Sequence, residues 1–189
     1  VKRAVVVGGG FIGLEVAENL ASQGIRVSVI DLADHVLPGF DPEMAEYVEN
    51  YLADQGIMTF TGTKLEGFVG EGKLEKVKTS RKAMKADIAV LSIGIRANTD
   101  FLEGSGIALM PNRTIKVNAY MQTNDEDIYA AGDCAMVTNR ITGQEAWSPM
   151  GSSANMEGRL LAENITGKKK AYPGVLGTAV CKLPGLNVG

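Results

Sequence analysis

Histidine and cysteine are almost missing from this sequence. His35 is the only histidine, and the two cysteines, Cys134 and Cys181, stand far apart in no CxxC or metal-ligand spacing. A disulfide, a redox pair and a His/Cys metal site are therefore not expected; the thiols read as reduced and partly buried, and His35 as a structural or exposed loop residue. A basic surplus is also missing, since 19 Lys and Arg face 22 Asp and Glu for a net charge of −3. That balance gives no electrostatic case for nucleic acid or an anionic membrane, and Lys168-Lys169-Lys170 reads as a short solvated turn. No stretch approaches the roughly twenty apolar residues of a membrane span, and the N-terminus lacks signal-peptide architecture, so a cytoplasmic location is the default.

What is abundant is glycine, 23 residues of it, which implies many turns. The 189 residues, 45% of them hydrophobic, suffice for one large domain or two small ones with a real core. The most informative stretch is Val5-Val6-Val7-Gly8-Gly9-Gly10-Phe11-Ile12-Gly13-Leu14-Glu15, where a β-branched run breaks on glycines and passes into a helical pattern. This is the dinucleotide-binding fingerprint: Gly8 for the tight turn, Gly10 for close approach of a pyrophosphate, and Gly13 for close packing of helix on strand. A second strand, Arg26 to Ile30, follows at βαβ distance and ends in Asp31, placed to accept ribose hydroxyls. A carboxylate there repels a 2′-phosphate, and Leu32-Ala33-Asp34 supplies no arginine to hold one. NADH is therefore expected in preference to NADPH.

The periodicity predicts a first helix over Phe11 to Ser22 with Ile12, Val16 and Leu20 inward, closed by Gly24. A second helix is expected to be capped by Asp41 with Pro42 in its first turn, and to bury Met44, Val48, Tyr51 and Leu52. Ile57 to Thr61 reads as a strand, and Lys64 to Ser80 as an antiparallel insertion with its tip at Gly70-Glu71-Gly72. Asp87 to Gly94 reads as a buried strand, with Gly94 either letting a ring or ribose approach or simply ending the strand. Asn98 to Glu103 is expected to be a short helix and Thr114 to Val117 a strand. Beyond these, a short apolar strand delivers Gly132-Asp133, which taken alone is compatible with an ordinary turn acid. Gly151 to Asn164 reads as a helix with Ala154, Leu160, Leu161 and Ala162 inward, ending at Gly167.

Four segments in order, Gly8 to Glu18, Val36-Leu37-Pro38 followed by Asp41, Ser92 to Thr99, and Thr123 to Asp133, together resemble the FAD-dependent pyridine nucleotide-disulfide oxidoreductases. The nearer resemblance is to the branch of coenzyme A disulfide reductases, NADH oxidases and NADH peroxidases. It implies an α/β fold: a Rossmann-like NADH-binding domain with an antiparallel β insertion over residues 1–95, then the C-terminal half of an FAD-binding domain over 96–167. Residues 168–189 would begin an interface domain, with Gly177 to Val180 as its opening strand, and the parent would be a homodimer. The chain opens on Val1 and stops at Gly189 in a strand-rich segment, so an excised piece of a longer protein is expected. Such a piece should bind NADH weakly and hold no FAD.

The resemblance implies cofactor contacts for Gly8, Gly10, Phe11, Ile12 and Gly13, with Glu15 beside flavin and nicotinamide and Gly94 against the nicotinamide. It implies that Asp133, after Gly132, accepts hydrogen bonds from the ribityl chain of FAD, and that the helix containing Ala154 points at the flavin pyrimidine edge. The implied activity is hydride transfer from NADH to FAD and onward to a disulfide, such as a coenzyme A disulfide, or to oxygen or peroxide. No catalytic residue is expected in this stretch, because neither cysteine matches the family's redox cysteine. Ala97 replaces the usual proline, and Trp147 to Met150 departs from the usual apolar lead-in; Trp147 reads as a packing residue. Alternatives are an NADH-dependent rubredoxin, ferredoxin or nitrite-type reductase without a redox cysteine, and a non-catalytic NADH-binding module.

Overall fold

A computed structural model describes residues 1–189. The chain divides into two units, residues 1–94 with 179–189, and residues 95–178. The first unit is built on a parallel sheet, and its three central segments follow from the hydrophobic pattern. Strand β1 (Arg3–Val7), helix α1 (Phe11–Ser22) and strand β2 (Arg26–Ile30) form the βαβ unit. Helix α2 (Pro42–Asp54) leads to β3 (Met58–Phe60), and after an insertion the chain returns as β7 (Ile88–Leu91). The order is β3-β2-β1-β7 with every pairing parallel, so β1 lies between the strands before and after the insertion. Its carboxyl end is the switch point where such sheets bind ligands.

β1 is buried on both faces, which is why it reads as a continuous apolar run. Ala4 and Val6 join Leu14, Ala17, Val48 and Leu52 of the helices in one core, while Val5 and Val7 join Ile30 and Val77 in another. The second core is covered by the insertion β4 (Leu65–Val69), β5 (Lys76–Thr79) and β6 (Ala83–Lys85), a three-stranded antiparallel sheet rather than a single hairpin.

Several local expectations need correction. Helix α1 buries Gly13, Leu14 and Ala17, with Ile12 exposed, because the small residues let the helix sit close to β1. Helix α2 buries Ala45, Val48 and Leu52 while Met44 is largely exposed. Asp41 is the N-cap residue, but only its carbonyl bonds the helix, accepting from Met44 and Ala45; its side chain makes no cap bond. β7 is an edge strand and only half-buried.

The second unit is thinly ordered. A 3-10 turn spans Asp100–Leu102, and strands β8 (Ile115–Lys116), β9 (Ala135–Thr138) and β10 (Glu145–Ala146) form a sheet of order β10-β9-β8. Helix α3 (Gly151–Ile165) packs Leu160 against Ile115, Met121, Ala135 and Val137. No strand precedes Gly132; an isolated bridge between Gln122 and Tyr129 stands there, and the strand β9 follows it. Ala162 is exposed, its expected inward place taken by Glu157 and Asn164. The expected strand over Gly177 to Val180 is displaced to a hairpin of β11 (Cys181–Leu183) and β12 (Leu186–Val188), whose Cys181, Leu183 and Val188 complete the core beneath α1.

Candidate functional site

In the first unit the turn after β1 is fixed by what its glycines lack. Gly8 has φ of +108°, and a Cβ there would stand 2.2 Å from the Ser92 carbonyl oxygen; one on Gly13 would stand 1.8 Å from the Gly8 carbonyl oxygen. Side chains at either position would push β7 or α1 away from the turn. Gly10 is different. A Cβ there meets nothing within 4 Å, so the protein itself does not require glycine, and the space before α1 is open. Gly10 gives α1 no side-chain cap and the first turn carries no acid, so the amides of Phe11, Ile12 and Gly13, which bond to nothing in the chain, remain available to an anion.

Asp31 stands at the carboxyl end of β2 and is tied back to that turn. Its Oδ2 accepts the Gly9 amide at 2.5 Å and its Oδ1 accepts the Ala33 amide at 2.8 Å. A carboxylate has about four acceptor sites, so it can hold these amides and still accept from a ribose. Gly9 itself, to which the motif spacing assigned no role, is buried, and its carbonyl accepts from Leu37. A Cβ on Gly9 would press Val36 at 3.0 Å, which links the Val36-Leu37 segment to the glycine turn. Gly94 is exposed with φ of +101° and open space at its Cβ position. Gly8, Gly10, Phe11, Ile12, Gly13, Asp31 and Gly94 all lie at the carboxyl ends of β1, β2 and β7 or at the start of α1.

Glu15 lies farther along α1 on an exposed position, and its Oε1 accepts the Lys182 amide of β11 at 3.3 Å. Beside it, burial and then the Glu15 charge push the Cys181 thiol up to about 11. Such a thiol stays protonated and is no nucleophile at neutral pH. At the opposite end of β1, the amide of Lys2 and the guanidinium of Arg3 hold the Asp87 carboxyl at about 2. That network ties the start of β1 to the start of β7.

The second unit brings Gly132, Asp133 and Ala154 together. Gly132 has φ of +82°, and its Cβ position faces the Ala154 side chain at 3.4 Å. The Asp133 side chain is exposed and bonds to no other group of the chain, so its carboxylate is available to a hydroxyl-bearing ligand. Two residues that the motif spacing gave no role hold this peptide. Glu157, 1% exposed, accepts the Gly132 amide at 2.7 Å, and Trp147 donates its indole N–H to the Asp133 carbonyl at 2.8 Å. Burial, and then the nearby Asp133 charge, raise the Glu157 carboxyl against the lowering effect of the Gly132 amide. Burial also raises the Cys134 thiol, with smaller contributions from the charges of Asp133 and Glu157.

A parallel sheet with a glycine turn and an acid at its switch point defines the class: a dinucleotide-binding α/β protein. The family model of the pyridine nucleotide-disulphide oxidoreductases matches residues 1–154, and the chain belongs to that family. It is 39% identical over its whole length to an NADH oxidase of Methanocaldococcus jannaschii, and 36% identical to an NAD(P)H coenzyme A polysulfide/persulfide reductase of Pyrococcus horikoshii. In each case it spans 42% of the relative's length. Among solved structures it is similar to the water-forming NADH oxidase of Lactobacillus brevis bound to NADH, with a TM-score of 0.90, 33% identity and coverage of 96% of this chain and 40% of that one. An engineered form of that oxidase, bound to NADPH, carries Gly→Ala, Asp→Ala, Ala→Arg, Met→Ser and Pro→Arg substitutions. No helix here is long and apolar enough to cross a membrane.

Proposed function

We propose that this chain carries the NADH-binding unit and part of the FAD-binding unit of a flavoprotein oxidoreductase. In the whole protein, hydride passes from NADH to FAD and then to a disulfide, such as a coenzyme A disulfide, or to oxygen or peroxide. Residues 1–95 are the nicotinamide-nucleotide domain, 96–167 contribute to the flavin domain, and 168–189 lead towards the interface of a homodimer. The single observation that carries this reading is the glycine turn: open space at Gly10, before an uncapped helix and beside the Asp31 carboxylate.

The residues' part is binding and orientation. The α1 amides and Gly10 take the pyrophosphate, Asp31 accepts from the adenosine ribose, and Gly94 lets the nicotinamide end lie against the backbone. Asp133 accepts from the ribityl chain, and α3 turns its amino end towards the flavin. When bound, the two cofactors supply the hydride chemistry themselves. No nucleophile from these residues enters the step, consistent with the raised thiols of Cys134 and Cys181.

Asp31 also sets the choice of nucleotide. In the engineered oxidase the exchanged Gly, Asp and Pro have the same relative spacing as Gly13, Asp31 and Pro38 here, and its new arginine falls at the position of Leu32. NADH should therefore bind this chain more tightly than NADPH. Asp31→Ala combined with Leu32→Arg should reverse the preference by about tenfold or more, because a repulsive carboxylate gives way to a phosphate-binding cation. Fluorescence titration with both nucleotides checks this. Equal affinities for NADH and NADPH before and after the change would overturn the role of Asp31.

A further inference from the structure

We propose that Glu157 is a positioning residue for flavin binding, acting from inside α3 on the Gly132–Asp133 peptide that presents the exposed carboxylate. This rests on the reading of Gly132-Asp133 as a flavin segment, and it adds a residue outside the motifs that define the family resemblance.

A carboxylate on the inward face of a helix, 1% exposed and in no ion pair, is costly to bury unless its hydrogen bonds do something that an apolar side chain could not. Glu157 has such a bond. Its Oε2 accepts the Gly132 amide at 2.7 Å, and Tyr172 lies near the same carboxylate. The two carbonyls of the turn are also held: that of Gly132 accepts from the Ala135 amide at 2.9 Å, and that of Asp133 accepts from the Trp147 indole. Both backbone carbonyls of the two residues are thus engaged, while the Asp133 amide and carboxylate bond to nothing in the chain. The charges of Glu157 and Asp133 also repel one another, so the inner carboxylate favours the outer one pointing away from the core. Glu157 thereby fixes the left-handed turn at Gly132 and biases Asp133 outward before any ligand arrives, which is preorganisation.

The test is FAD affinity of the full-length flavoprotein, measured by reconstitution of the apoprotein, with thermal melting alongside. Glu157→Leu should weaken FAD by about tenfold or more, as expected when a buried amide loses its partner. Glu157→Gln should stay within about threefold of wild type, since its amide oxygen still accepts from Gly132. Asp133→Asn should weaken FAD by itself. Added to it, Glu157→Leu should cost no more than about twofold further, because the two residues act through one turn. Should the leucine variant fail to fold, Glu157→Met takes its place, with a loss of the same size expected because the Gly132 amide again loses its acceptor.

Wild-type affinity in Glu157→Leu, an equal loss in Glu157→Gln, or a full additive loss on Asp133→Asn would each overturn the positioning role. Unchanged affinity in Asp133→Asn would instead overturn the flavin reading, and the proposal with it.

Discussion

The two glycine turns of this protein are held by opposite means. At Gly8 to Gly13 the geometry is enforced by missing atoms: backbone crowds so closely that any Cβ on Gly8 or Gly13 would overlap a carbonyl oxygen. At Gly132 to Asp133 it is enforced by added partners, a glutamate from α3 and a tryptophan from the loop before it. The difference follows from the surroundings. The first turn sits at the end of a four-stranded parallel sheet whose β1 is buried on both faces, whereas the second adjoins a sheet with strands of two to four residues. A strong sheet positions a turn sterically; a weak one needs side chains to do it.

The sharpest way to break that contrast is Gly8→Ala. Both the positive φ and the 2.2 Å approach to Ser92 oppose it, so a loss of about 3 kcal/mol or more in urea unfolding is expected, together with loss of NADH binding. At the other turn the corresponding loss is smaller. Trp147→Phe removes one hydrogen bond and little volume, and should cost about 1 kcal/mol, seen as a lower melting temperature with NADH affinity unchanged. If the phenylalanine variant matched Gly8→Ala in severity, the division between steric and hydrogen-bonded turns would fail.

The smallest effect concerns pH. The Glu157 carboxyl is raised in the folded state, so its contribution to stability is fully present below the unfolded carboxyl range and is lost as pH climbs through the raised folded value. Asp133, Cys134, Tyr172 and the Gly132 amide are the groups that face it. Glu157→Gln cannot titrate. Its stability relative to wild type should therefore rise with pH across that window and level off above it, as followed by denaturant midpoints in a pH series. A difference that stayed flat would show that the carboxyl is not raised.

The contrast also explains what the sequence revealed. The first unit was largely legible because its determinants are local: a β-branched run, glycines at fixed offsets, and an acid one strand later. Asp31 was found this way, although its hold on the Gly9 amide was not, since that bond exists only once β1 and β2 pair. The misplaced face of α1 arose because the period of a helix fits a stripe through Ile12, Val16 and Leu20 as well as one through Gly13, Leu14 and Ala17, and close packing on β1 selects the second. In the second unit the strands are too short to leave a period of two, and the anchor of the Gly132 amide lies 25 residues away in the chain, at Glu157. One signal was readable. A glutamate at the inward spacing between Ala154 and Leu160 marks a buried acid, and a buried acid implies a donor to be found.

The hairpin of β11 and β12 gives the first unit an unusual dependence on timing. Cys181, Leu183 and Val188 close the core under α1, and the Tyr51 hydroxyl reaches across to the Pro184 carbonyl, so α1 and α2 wait for a hairpin whose contacts come 133 to 170 positions later. On the ribosome the glycine turn would emerge well before β11 and β12, and its supporting layer would stay open until the intervening stretch had been made. Maturation of the nucleotide-binding unit is thus coupled to synthesis of the second unit and of the hairpin beyond it, with slow, non-local closure as the kinetic signature.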